Sequence, residues 1–469
     1  MAVDIPRSPG NQLAGSWKGR PAGVPSGVPP PSVPVSFLAA GCLGLIGCGA
    51  ALVWAGSTGA TDPTADRVVA AAHLGVLATL SMGVLGAMHQ FTPVITQRPL
   101  RSVRLAGATF LSWFAASWCL SLGVATQQES VVESGGALAT LAIVLLVVNL
   151  SAPLAARGKG PPVTGLRFAL GGFVITACFG VTYVADRSGD WFNLSGHIVL
   201  AHAVIGLFAW LGLTYVAVAE KLWPMFFLTH VPGRHRAGWI AVWAVPSGVA
   251  LLSPGLLFGV PALAWCGAAV LGVGLGAHLT SLLIHIRHRR RKADLHLAFV
   301  STSALWLVAG GGLALAGVVV MSGSYHAGVM LVASAVVALA GWILEALVGH
   351  AHKVVPFIVW SALRSRGVDK NRVGKPLMFA DLYRHEWAGV TYALVTAGLA
   401  ALCIGFGASL AWALVLGGVL LSLTGIVLVV NLSVIPLRMR SNPWARRVAA
   451  NEATDAESGE GLSTSSAGQ

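Results

Sequence analysis

The chain predicts an all-α, polytopic membrane protein with twelve transmembrane helices in three pseudo-symmetric four-helix units. Three observations carry that expectation. Of its 469 residues 55% are hydrophobic and only 10% charged, and the mean hydropathy of +0.76 lies far above that of a soluble domain. The apolar residues fall in long runs, each able to cross a hydrocarbon core of about 30 Å at roughly twenty residues per helix. The positive charges gather on one side of those runs, as membrane insertion requires.

In order, the runs are 36–56, 68–95, 103–126, 136–155, 164–184, 195–227, 237–257, 261–286, 295–320, 326–359, 385–408 and 412–437. Residues 1–35 precede the first. They are rich in Pro and Gly with Arg7, Lys18 and Arg20, and lack a positive-then-apolar cleavage pattern, so they read as a disordered cytoplasmic tail and the first run as a signal anchor. The second run, "HLGVLATLSMGVLGAMHQFTPVI", holds a histidine near each end. The seventh and eighth are the least regular, because Pro246, Pro254 and Pro261 interrupt them and freed backbone groups need partners inside lipid. The twelfth ends at residue 437. Residues 438–469, with Glu452, Asp455, Glu457 and Glu460 among Ser and Gly, read as a second disordered cytoplasmic tail.

With the N-terminus inside, 28 of the 30 Lys and Arg lie in cytoplasmic loops or tails, and only Arg67 and Arg187 lie outside. Outer loops hold Asp62, Asp66, Glu129, Glu133, Asp186 and Asp190 instead. The formal charge of +13 therefore reflects topology and anionic lipid headgroups at an inner, plasma membrane. No nucleic acid is needed to explain it. The six cysteines (Cys42, Cys48, Cys119, Cys178, Cys266, Cys403) sit inside apolar runs without metal-type spacing and read as small packing residues.

A repeat runs through the helices. "GAMHQFTPVI", "VAEKLWPMFF" and "GHAHKVVPFI" each place a polar residue shortly before a proline at a helix end, and Pro93, Pro224 and Pro356 are 131 and 132 residues apart. A second set, "VVNLSAPL", "GAHLTSLL" and "VVNLSVIPL", follows in the same order. Two anchors in step divide the membrane domain, 36–437, into repeats at about 36–155, 164–286 and 295–437. The third is stretched by the loop Ser361–Arg384, with its six Lys and Arg. The second, sixth and tenth helices become equivalent and should stand together at the bundle centre, where helical bundles hold cofactors.

Ionisable side chains within a membrane are costly and mark sites, cavities or partners. His73, His197, His202 and His326 share the outer leaflet on the three central helices, and His89, Glu220, His350 and His352 lie toward the cytoplasmic rim. His73 and His89 are 16 residues apart, about 24 Å along the axis. They cannot share one metal. Imidazoles from two helices in the outer layer fit a bis-histidine haem. In the inner layer, the aligned His89, Glu220 and His352 could make a two-histidine, one-carboxylate metal site, but Lys221 and Lys353 follow directly and polar residues at helix ends are commonplace, so they are expected as rim residues. His278 and His285 approach "RHRRRK" at the cytoplasmic end and are not expected to bind the haem.

With twelve helices in three units and histidines at the outer ends of the central ones, the chain resembles haem-copper oxidase subunit I. The stretches 73–95, 202–226 and 349–360 are more similar to the subunit-I-like proteins that include the NnrS-type haem and copper membrane proteins. That resemblance implies a b-type haem, His73 and His326 as its low-spin pair, and His202, with His197, lining a second metal region. It leaves copper open. The seventh helix has no His-His pair, Ser324 stands where a His-x-His would begin in the tenth, and Tyr215 lies 13 residues beyond His202. A complete oxygen-reducing centre is therefore not expected. The implied function is electron transfer, or sensing and processing of a nitrogen oxide, with a redox partner protein. A histidine-lined transporter or channel and a non-catalytic partner subunit of a respiratory complex are the rivals.

Overall fold

The computed structural model describes residues 29–155, 160–189, 197–229, 236–440 and 442–448; most of both predicted tails lies outside them. Among the described residues twelve helices are long and apolar enough to cross a membrane: α1 Ser32–Ser57, α2 Asp66–Thr96, α3 Val103–Thr126, α4 Glu129–Leu154, α5 Pro161–Asp186, α6 Ile198–Phe227, α7 Arg236–Leu257, α8 Pro261–Arg287, α9 Leu295–Met321, α10 Tyr325–Ser365, α11 His385–Gly407 and α12 Ala411–Ile435. Each predicted run has become one helix. The irregular pair is continuous too, with Pro246 and Pro254 inside α7 and Pro261 in the first turn of α8, where a missing N–H costs nothing.

Side-chain caps start several helices. Ser102 Oγ accepts the N–H groups of Arg104 and Leu105 ahead of α3, and Asp294 Oδ1 accepts that of Leu297 at the start of α9, satisfying donors that a helix leaves open at its first turn. At the other end, α2 and α6 both stop on a left-handed residue, Gln97 and Leu228, 131 residues apart in the chain.

The repeat is visible in packing. The helices α2, α6 and α10 are the most buried of the twelve and touch one another, as the alignment of Pro93, Pro224 and Pro356 predicts. Around them α1 packs on α12, joining the first unit to the third, and α4 meets α5, joining the first to the second. The second and third units meet through Leu282 of α8 and Val300 of α9, packed with Trp223 and Phe227.

One feature of the centre has no counterpart in the predicted pattern. The regular α-helix of α2 opens into π-helical turns over Leu74–Ser81, and α6 does the same over Ile205–Gly212. Such turns are rare and concentrate at functional sites. Both begin 131 residues apart, so the distortion belongs to the repeat, although α10 is α-helical throughout. Two indoles bond to the first π segment: Trp113 Nε1 donates to the Leu77 carbonyl at 3.0 Å, and Trp210 Nε1 donates to Ser81 Oγ at 3.1 Å. The second bond ties the two π segments together.

Candidate functional site

The outer layer forms where the two π segments begin. His73 closes the α-helical first part of α2, immediately before Leu74, and its Nδ1 donates to the Val69 carbonyl at 2.8 Å. On α6, His202 lies three residues before Ile205. Its ring bonds to the backbone of Thr176 on α5, while its Nδ1 has no partner among the described residues. Gly180 of α5 lets the ring approach, since a Cβ there would sit 3.2 Å from its Cε1. Both imidazoles are half-buried, and they are close enough to act on each other electrostatically. Each therefore has one ring nitrogen anchored to backbone, as metal-binding histidines commonly do.

His326 is exposed at the first turn of α10, where Ser324 Oγ caps the helix, and the group that feels its charge is Asp62 of the α1–α2 connection. The Asp62 carboxyl is held below the usual range, first by the Thr64 hydroxyl and then by the Thr64 backbone N–H, with His326 a smaller contributor. A residue in the opening turn of a helix that starts at the membrane boundary faces outward. The imidazole within electrostatic reach of His202 is that of His73. His197 opens the sixth helix, and its side chain lies outside the described residues.

In the inner layer His89, Glu220 and His352 are buried within the bundle, with exposures of 0%, 8% and 5%. His89 Nδ1 donates to the Leu85 carbonyl at 2.8 Å and His352 Nδ1 to that of Val348 at 2.9 Å, and neither Nε2 finds a partner among the described residues. Glu220 accepts from Ser281 Oγ at 2.7 Å and fills a slot against Gly238, where an added Cβ would strike its carboxylate. The three aligned positions do not converge. Among the described residues no three His, Cys, Asp or Glu side chains are placed to hold one metal ion.

Several further polar groups are buried in the same half of the bundle. His278 sits in an aromatic box of Tyr215, Trp223 and Trp342, at ring-centroid distances of 5.4, 4.8 and 5.7 Å. The His285 ring bonds to the Thr229 hydroxyl at 2.7 Å. His296, never singled out, is buried on α9 with its ring 4.9 Å from that of His350. Its signal was its place two residues after the Asp294 cap, inside the helix. All six cysteines are free thiols.

No protein-family model matches this chain, and no curated protein is similar to it. The site must be interpreted from its own geometry.

Proposed function

We propose that this chain is a haem-binding integral membrane protein that moves electrons, with His73 and His202 as the iron ligands. One observation carries the reading: two half-buried imidazoles from separate central helices, each anchored to backbone through one nitrogen, lie within electrostatic reach of each other where both helices widen into π turns. The orphaned Nδ1 of His202 is the kind of buried nitrogen that calls for a ligand. A b-type haem held there supplies a reversible one-electron centre. The chain's own part is to fix two ring orientations and to surround them with apolar side chains such as Leu74 and Ile205.

The charge pattern supports a plasma-membrane location with both termini cytoplasmic and with anionic headgroups against the Lys- and Arg-rich inner loops. An electron carrier in that position requires a redox partner protein. A nitrogen oxide as substrate rests on the family resemblance alone, and copper has no three-ligand set of its own among the described residues.

The test is spectroscopic. The wild type and His73→Ala, His202→Ala, His326→Ala and His89→Ala are purified in parallel, and reduced-minus-oxidised spectra and haem content are recorded beside a size-exclusion check of folding. Loss of the low-spin bands in His73→Ala and His202→Ala, with the other two retaining them, is the expected result. A folded but colourless wild type would refute haem binding and favour the transport or scaffold alternatives. Bleaching by His89→Ala with His73→Ala unaffected would move the site to the inner layer.

A further inference from the structure

We propose that Trp113 and Trp210 are positioning residues for the site of His73 and His202: their indole N–H groups hold the π turns of α2 in register and so set the direction in which His73 presents its ring. The role belongs to the proposed iron site and rests on that reading for what a bound haem would report.

The π turns are built into the packing. The Met82 N–H closes the first segment on the Leu77 carbonyl, five residues back, and the Thr79 hydroxyl donates to the Leu74 carbonyl across the same step of five. On α6 the Leu213 N–H closes on the Phe208 carbonyl in the same way. Widened turns need room beside them, and a glycine supplies it in each case. A Cβ on Gly44 of α1 would strike the Ala78 carbonyl, and one on Gly172 of α5 would strike that of Ala209, the residue 131 positions on.

The two indoles add what the backbone does not. Both are buried, and a buried indole N–H needs an acceptor. Trp113 finds it in the Leu77 carbonyl, the same group on which the π segment closes. Trp210 finds it in Ser81 Oγ, on the last residue of that segment. Phe173 of α5 fixes both rings: it stacks on Trp210 with centroids 4.0 Å apart and planes 10° from parallel, and it meets Trp113 edge-on at 5.1 Å. Closing the segment to regular α-helix moves both acceptors and leaves the two donors buried without partners, which is costly.

His73 stands at the outer end of this segment. Its ring is tied to the Val69 carbonyl, so it turns with the short helix before Leu74 as one body. A change of one residue in register rotates that body by roughly 100° about the axis of α2 and carries the imidazole away from His202. Trp113 from α3 and Trp210 from α6 oppose the rotation from two different helices.

The experiment uses the full chain in nanodiscs. Trp113→Phe, Trp210→Phe, Ser81→Ala and the double variant of the last two are compared with the wild type. Trp118→Phe is the control, since the Trp118 Nε1 has no partner among the described residues. Haem content, thermal unfolding and the electron paramagnetic resonance of the oxidised iron are recorded, because the low-spin g values follow the mutual orientation of two axial imidazoles. The expected result is a shift of those g values, or partial conversion to high spin, in both tryptophan variants at unchanged haem content. Ser81→Ala should match Trp210→Phe, and the double variant should go no further, as for two halves of one bond. It also carries the test should the tryptophan variants fail to fold.

A second readout needs no haem. With the six native thiols replaced, His73→Cys and His202→Cys are bridged by a short bis-methanethiosulfonate, and the yield should fall several-fold when Trp113→Phe or Trp210→Phe is added. Unchanged g values in the folded variants would overturn the positioning role, as would an equal shift in Trp118→Phe. So would bridging that is absent from the parent or unaltered in the variants. A colourless wild type refutes the haem site instead, and the bridging yield then decides the positioning role alone.

Discussion

Phe37 lies flat against the imidazole of His89, with ring centroids 5.3 Å apart and planes 26° from parallel, and the relation recurs between Phe299 and His352 at 5.9 Å and 21°. Both phenylalanines reach their histidine over a glycine: a Cβ on Gly86 would sit 2.7 Å from Phe37 Cβ, and one on Gly349 would strike that of Phe299. The second unit has Phe168 at the same step of 131 residues, yet that ring is half-buried and meets Trp243 edge-on at 4.9 Å. Phe37→Ala and Phe299→Ala should each cost about 3 kcal/mol, the usual price of emptying a core aromatic site. Phe168→Ala should cost less. Thermal unfolding of the three purified variants checks this, and equal losses would contradict the difference in burial.

Asn149 and Asn431 each tie the chain 47 residues before them to a helix: Asn149 Oδ1 accepts the Ser102 N–H at 2.9 Å and Asn431 Oδ1 that of Arg384 at 3.0 Å. Asn431 Nδ2 also donates to the Arg384 carbonyl, whereas Asn149 Nδ2 has no partner among the described residues. Two bonds against one predict the order of effects. Asn431→Ala should lose about 2 kcal/mol and Asn149→Ala about 1 kcal/mol, at roughly 1 kcal/mol per bond. The sharper readout is protease access to the 366–384 loop in inverted vesicles, which should increase in Asn431→Ala alone.

Membrane order was legible because hydropathy and charge are properties of the whole chain: each apolar run became a helix, and the prolines that marked the repeat stand on the three most buried helices. Depth was not. His352 resembles a rim residue because Lys353 follows it, but α10 continues to Ser365, another 13 residues or about 20 Å. The inner loop then folds back, Trp360 Nε1 donating to the Leu377 carbonyl at 2.6 Å. The regular steps between Phe37, Phe168 and Phe299 were present in the sequence and would have pointed to packed positions beside the aligned histidines. The π turns leave no such mark, since hydrophobicity is blind to whether a carbonyl accepts from four or five residues onward. The closeness of His73 to His202 depends on how α2 and α6 cross, which no local pattern encodes.

Topology can be tested directly. Ser57, expected outside, and Val373, expected inside, are both exposed, the latter at 76%, so burial will not mask either. In a background freed of the six native thiols, a membrane-impermeant maleimide added to intact cells should label Ser57→Cys and spare Val373→Cys until the membrane is opened. Labelling of Val373→Cys in sealed cells would reverse the orientation.

Glu345 is fully buried on α10, with the Thr396 hydroxyl donating to Oε1 at 2.9 Å, while Oε2 has no hydrogen-bond partner among the described residues. Its environment thus asks for an acceptor, which an amide oxygen also provides. Glu345→Gln should fold and unfold at or above the wild-type temperature, because a neutral group of the same shape costs less inside a membrane than an ionisable one. Glu345→Ala removes the acceptor and leaves the Thr396 hydroxyl without one. That should cost about 2 kcal/mol or more. Thr396→Val deletes the stranded donor, so the double variant should be less destabilised than the sum of the two single ones. An alanine variant as stable as the glutamine one would show that Glu345 only fills space.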